Sequence, residues 1–81
     1  MILPTKKRTS ARSLIGIGAL ILGFLNEPRS ISNLWWKIRN SRVTKESYPY
    51  LDFDQFILSL DFLFLMNIIH FKDNKIRTGG E

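Results

Sequence analysis

Apolar residues are most concentrated between Phe53 and Phe71, and their spacing predicts that the third helix of a small three-helix domain runs from Phe53 to about Met66. Residues three and four apart form one apolar face of this helix. That face consists of Phe53, Phe56, Ile57, Leu60 and Phe64. The polar residues Asp54 and Asp61 separate it on one side from a second apolar stripe, and Ser59 does so on the other.

The second stripe lies on roughly the opposite face and consists of Leu58, Phe62 and Leu65. A helix that is apolar on two faces is expected to be buried on both. Because a chain of 81 residues supports only a modest core, we predict that this stripe contacts a partner protein. The alternative is that it completes the domain's own core.

The first helix is predicted over Ser13 to Leu25, with Ser10 or Ser13 as its N-cap. Its apolar face is predicted to contain Leu14, Ile17, Leu20, Ile21, Phe24 and Leu25. The small residues Gly16, Ala19 and Gly23 lie together on another side. Small side chains allow another segment to approach closely, either within the domain or on a partner.

A second, shorter helix is predicted from Asn33 to about Asn40, capped by Ser32 and preceded by a minimal strand at residues 29–31. Its inner face is predicted to hold Leu34, Trp35 and Ile38. Trp36 points the other way. We therefore predict Trp36 to be an interface anchor, the alternative being that its ring lies on a neighbouring loop.

Residues 41–51 are predicted to be a polar loop that leads to Asp52, the N-cap of the third helix. Gln55 stands at the third helical position, a pattern close to a capping box. Asn67 is a suitable C-terminal stop. Residues 68–71, 72–74 and 75–77 then predict a strand, a turn and a strand.

The order helix, short strand, helix, helix, hairpin predicts a mainly α fold with a small β-hairpin, a winged helix-turn-helix domain. We assign residues 1–12 to a basic extended arm, residues 13–78 to the winged-helix domain and residues 79–81 to a flexible tail. The predicted loop between the second and third helices is longer than the usual turn of about 3–4 residues.

Charge is unevenly distributed along the chain: residues 1–45 carry +8 and residues 46–81 carry −3, for a net charge of +5. A basic half indicates contact with an anionic partner, although it is also typical of a solvated surface. The candidates for non-specific contact with nucleic acid are Lys6, Lys7, Arg8 and Arg12 in the arm, and Lys72, Lys75 and Arg77 in the hairpin.

The third helix is poorly suited to read the major groove of DNA. Base-edge recognition uses Arg, Lys, Asn or Gln, and residues 53–66 contain no Lys or Arg but two aspartates, Asp54 and Asp61. Its apolar residues suit a groove in a protein better. A small DNA-binding transcriptional regulator nevertheless remains the alternative, because of the basic first half.

The sequence contains no motif for catalysis, a cofactor or a metal. It has no Cys and one His, and His70 lies in a predicted strand, so we assign it a structural role. No nucleophile–base constellation is visible, and we predict that the chain is not an enzyme. The apolar run Leu14 to Leu25 has 12 residues, short of the roughly 20 that a membrane span needs, so we predict no membrane contact.

Four segments, LPTK at 3–6, SLIGIGALIL at 13–22, EPRSISNLW at 27–35 and FDQFILSLDFLFLMNII at 53–69, resemble a small bacterial family. This family is the type-six middle component of ABC-three component systems. The resemblance implies a winged-helix adaptor without catalytic residues. It also implies two partners, a coiled-coil ATPase of the SMC/ABC type and an effector nuclease, in a defence complex directed at phages or plasmids. The lack of Cys fits a reducing interior, and we expect a cytoplasmic location.

Overall fold

The computed structural model describes residues 10–79 of the chain, which form four helices and a two-stranded antiparallel hairpin. The elements are α1 (Ala11–Gly23), α2 (Ile31–Arg39), α3 (Arg42–Ser47), α4 (Phe53–Leu65), β1 (Ile69–Lys72) and β2 (Lys75–Thr78). The predicted fold class, mainly helical with a small hairpin in the order of a winged helix, is confirmed. The predicted arm and tail lie largely outside the described residues.

Helix α1 begins at Ala11 because the Ser10 hydroxyl accepts a hydrogen bond from the backbone N–H of Ser13, at 3.1 Å. Ser10 is therefore the N-cap. The helix starts two residues earlier than predicted, so Arg12 lies in its first turn and not in an extended arm. It also ends earlier, at Gly23, and Leu25 is buried beyond the helix end.

The predicted N-cap of α2 is wrong: Ser30, not Ser32, caps this helix by accepting a hydrogen bond from the Asn33 N–H at 3.1 Å. Both serines have a hydroxyl suited to an N-cap. Ser30 takes this position because the residue before it, Arg29, is paired with the hairpin. Arg29 forms an isolated antiparallel bridge with Ile76 of the hairpin. The predicted strand at 29–31 thus reduces to one residue, and α2 begins at Ile31.

Part of the predicted loop at residues 41–51 is helical, since α3 spans Arg42–Ser47 and makes the helix count four instead of three. This helix has one turn and a half and no apolar periodicity, so the pattern of apolar residues does not reveal it. Thr44 faces inward and is 4% exposed. The connection between α2 and α4 is thereby structured.

The capping box of α4 is present as predicted: the Asp52 carboxylate accepts a hydrogen bond from the Gln55 N–H, and the Gln55 side chain accepts one from the Asp52 N–H. The helix ends at Leu65. Asn67 follows with φ 61°, a left-handed conformation that asparagine tolerates. The predicted stop is therefore correct.

The hairpin pairs β1 with β2 through a two-residue turn at Asp73 and Asn74, which have φ values of 55° and 63°. Positive φ at both central residues is characteristic of a type I′ turn. The register places Lys72 opposite Lys75 and His70 opposite Arg77. The predicted hairpin is confirmed, with strand limits shifted by one residue.

The core lies where α1 packs against α4 and where the hairpin and α2 cover them. It consists of Ile17, Ile21, Leu25, Leu34, Ile38, Phe56, Leu60, Leu63, Ile69 and Ile76. Ser59 is also fully buried, although the sequence pattern placed it at a polar boundary of the helix. The buried face of α4 is consequently centred between Ser59 and Leu63.

Candidate interaction surfaces

Helix α4 keeps one face in solvent. Asp54, Leu58, Asp61 and Leu65 follow one another at spacings of four, three and four residues, so they lie in one row on the helix surface. Leu65 is 84% exposed, both aspartates are exposed, and Leu58 is half-buried. We call this row the α4 outer face.

The predicted partner stripe of α4 is divided by the structure. Leu65 and Leu58 belong to the α4 outer face, whereas the half-buried Phe62 packs against the core. Phe53 differs from its prediction in the other direction: it was expected in the core, but 45% of its surface is exposed. Its ring contacts Trp35 edge-on, with centroids 5.4 Å apart.

Trp36 is exposed as the sequence predicted, with 61% of its surface accessible. Its carbonyl accepts a hydrogen bond from the Asn40 side chain at 2.8 Å, which fixes the end of α2. Val43 on the next helix is 55% exposed. We call five of the exposed residues of these two helices the α2–α3 surface: Trp36, Arg39, Arg42, Val43 and Lys45.

Three cations of the α2–α3 surface, Arg39, Arg42 and Lys45, were not among the residues predicted to contact nucleic acid. They could have been found from the local run of basic residues, in which Glu46 is the only nearby acid. The sequence prediction did not group them, because it placed Arg39 in a helix and Arg42 and Lys45 in a loop. All three are exposed.

The hairpin presents a basic face. Because side chains alternate along a strand and paired residues share a side, the register puts His70, Lys72, Lys75 and Arg77 on one face. Lys72 and Lys75 are exposed, while His70 and Arg77 are half-buried. We call these four residues the wing face, and it includes three of the predicted nucleic-acid contacts. Of the other four, Arg12 is exposed on α1, and Lys6, Lys7 and Arg8 lie outside the described residues.

Arg29 is a basic residue with a structural task. Its Nε donates to the Phe24 carbonyl at 2.6 Å, and its Nη atoms donate to the side chains of Asn33 and Asn26 at 3.0 and 3.3 Å. Its Nη2 also lies 3.4 Å from a carboxylate oxygen of Glu27. With only 12% of its side chain exposed, Arg29 joins the end of α1 to α2.

A shallow cavity of about 260 Å³ lies between α2, α3 and the segment leading to α4. Its lining includes the cations Arg39 and Lys45 and the rings of Trp35 and Tyr48, but no carboxylate and no imidazole.

The described residues contain no group of three or more His, Asp or Glu side chains placed to hold a metal ion. None of the helices from residue 10 to residue 79 has the length and apolar character needed to span a bilayer.

Comparison with known proteins gives one finding. No curated protein and no solved structure matches the chain. The family profile described as ABC-three component (ABC-3C) system Middle Component 6 matches residues 3–78, which is nearly the whole chain and includes every helix and strand. The chain belongs to the Middle Component 6 family of ABC-three component systems.

Proposed function

We propose that this chain is a non-catalytic adaptor of an ABC-three component defence complex in the cytoplasm, and that it docks on the SMC/ABC-type ATPase of that system. Its membership of a middle-component family supports a role within a multi-subunit assembly. The observation that carries the proposal is the 84% exposure of Leu65 on α4. A large apolar side chain in solvent is common, but here it belongs to a row with two exposed aspartates and a second leucine, Leu58, that is only half-buried.

The position of α4 in the fold bears on whether its outer face binds DNA or a protein. In a winged helix, the helix before the hairpin is the one that enters the major groove of DNA. Here that helix has no Lys or Arg, and its outer face carries Asp54 and Asp61. Two carboxylates repel phosphates, so a protein suits this surface better than DNA.

Trp36 provides a second protein contact in this proposal, with the effector nuclease of the system as the candidate partner. Tryptophan is enriched among residues that dominate binding energy. Trp36 and Leu65 belong to different helices, α2 and α4. Each can therefore mark a separate contact surface. An adaptor that holds two proteins requires two such surfaces.

Non-specific contact with nucleic acid is a secondary activity that the wing face supports. Neither strand of the hairpin contains an acidic residue to offset its three cations. Such a face binds the phosphate backbone regardless of sequence. The same features give little support to a transcriptional regulator, which needs base-edge contacts.

Co-purification with the ATPase encoded in the same system tests the adaptor role. Replacing Leu58 and Leu65 by Asp is expected to abolish co-purification, because it places charge in an apolar contact. Phe62 is left unchanged, because it packs against the core and its loss would destabilise the fold. The control is Val43→Asp, which makes the same apolar-to-acidic change at an exposed residue of the α2–α3 surface. Retention of the ATPase by the Leu58/Leu65 variant would contradict the proposed docking surface.

A further inference from the structure

The α4 outer face combines two kinds of side chain in a fixed order. Its row reads Asp54, Leu58, Asp61, Leu65, so each leucine follows a carboxylate by one helical turn. Neither aspartate has an ion-pair partner among residues 10–79. The row also contains no cation, although the whole chain has 12 Lys and Arg against 7 Asp and Glu.

From this alternation we infer that the occupant of the α4 outer face is an amphipathic helix of another protein that presents Lys or Arg between leucines. The inference rests on the proposed adaptor role and specifies the chemistry of the partner surface. Leucines of such a helix would cover Leu58 and Leu65, and its cations would face Asp54 and Asp61. Opposite charges at the rim of an apolar contact select the partner and its register.

Two other occupants fit the face less well. Nucleic acid would bring its phosphates against both carboxylates. A second copy of this chain, pairing α4 with α4 about a two-fold axis, would bring four carboxylates and no cation into one interface. A basic helix neutralises both aspartates and covers both leucines.

The net charge of the chain makes the inference sharply testable with two synthetic helical peptides. Both peptides have the same leucine spacing, and one carries Lys where the other carries Glu. Attraction by the net charge of the whole chain, +5, would by itself favour the Glu peptide. The α4 outer face favours the Lys peptide. We expect the full chain to bind the Lys peptide at least about tenfold more tightly at low salt, as measured by fluorescence anisotropy.

Charge reversal identifies the surface that binds the peptide. Asp61→Lys is expected to remove the preference for the Lys peptide, while Asp61→Glu retains it. The control Glu46→Lys makes the same change of charge at an exposed position of α3 and is expected to leave the preference intact. Circular dichroism establishes that each variant is folded. Equal or tighter binding of the Glu peptide, or equal losses in Asp61→Lys and Glu46→Lys, would overturn the inference.

The ATPase of the system separates this inference from the adaptor proposal. If the ATPase binds wild type and Asp61→Lys equally, the adaptor role stands, and the inference that cations of the partner helix face Asp61 is wrong. If the ATPase does not bind but the Lys peptide does so through Asp61, the partner chemistry stands and the choice of partner is wrong. Self-association of the free chain that disappears in Asp61→Lys would show that a second copy occupies the face and would also overturn the inference.

Discussion

The Tyr48 hydroxyl lies against Gly16 of α1, in the space where any other residue would place its Cβ. Tyr48 follows α3 directly, so this contact ties the short helix and the segment after it to the first helix of the domain. The sequence left open whether the small residues of α1 face the domain or a partner. For Gly16 the neighbour is the domain itself, whereas a Cβ at Gly23 would meet no atom of another described segment within 4 Å.

Replacing Gly16 by Ala is expected to lower the free energy of unfolding by about 1–2 kcal/mol, because the strain of overpacking exceeds the gain in helix propensity. In a Tyr48→Phe background the hydroxyl is absent, and the nearest remaining ring atom is 3.2 Å from the new Cβ. The cost of Gly16→Ala should therefore fall in that background. Chemical denaturation of the four proteins of this double-mutant cycle measures the difference.

Gly23→Ala is the matched control for this contact. Its environment is open and its φ is not in the left-handed region, so the substitution is expected to raise stability by up to about 1 kcal/mol. If Gly16→Ala and Gly23→Ala stabilise the chain equally, the contact with Tyr48 does not constrain position 16.

Local chemistry explains which elements could be predicted from the sequence. The capping box of Asp52 and Gln55 and the turn at Asp73 and Asn74 each depend on side chains a few residues apart, and both are present as predicted. The order of helices and hairpin follows from such signals. The α4 outer face was found only in part, because helical spacing predicts rows of residues but not which row the rest of the domain covers.

The features that the sequence did not predict depend on tertiary contacts. Ser30 and Ser32 are equally suitable caps until Arg29 pairs with Ile76. Helix α3 has no apolar period and is held by its neighbours. Ser59 is polar, and its burial results from the packing of α4 in the core, which no local rule anticipates.

Ser59 provides a second stability prediction. Its hydroxyl is completely buried and has no hydrogen-bond partner within the described residues. An unpaired buried hydroxyl is unfavourable by about 1–3 kcal/mol, and Ala is also the better helix former. Ser59→Ala is therefore expected to raise the midpoint of thermal unfolding. The exposed Ser47→Ala serves as control, and a lower midpoint for Ser59→Ala would indicate that the hydroxyl is paired.

Arg29→Lys is expected to destabilise the fold although it conserves the charge. Lysine cannot reproduce the fork that reaches the Phe24 carbonyl and two asparagine side chains at once. Charged hydrogen bonds of this kind contribute about 1.5–3 kcal/mol each, so we expect a loss of about 1–3 kcal/mol in urea unfolding. Arg42→Lys, at an exposed position, should remain within about 0.5 kcal/mol of wild type. Similar losses in both variants would contradict a structural role for Arg29.

The wing face leads to a prediction about salt. Replacing Lys72 and Lys75 by Ala is expected to weaken binding to two unrelated DNA duplexes equally, and to reduce the slope of log affinity against log salt by about 1–2, since each phosphate contact contributes roughly 0.9. These lysines are directly opposed in the hairpin, and like charges in that position are unfavourable, so their removal should not unfold the domain. Fluorescence anisotropy over a salt series measures the slope. Arg42→Ala with Lys45→Ala removes the same charge from the α2–α3 surface. If that pair lowers the slope as much as the wing pair does, net charge explains the binding and the wing face is not the contact.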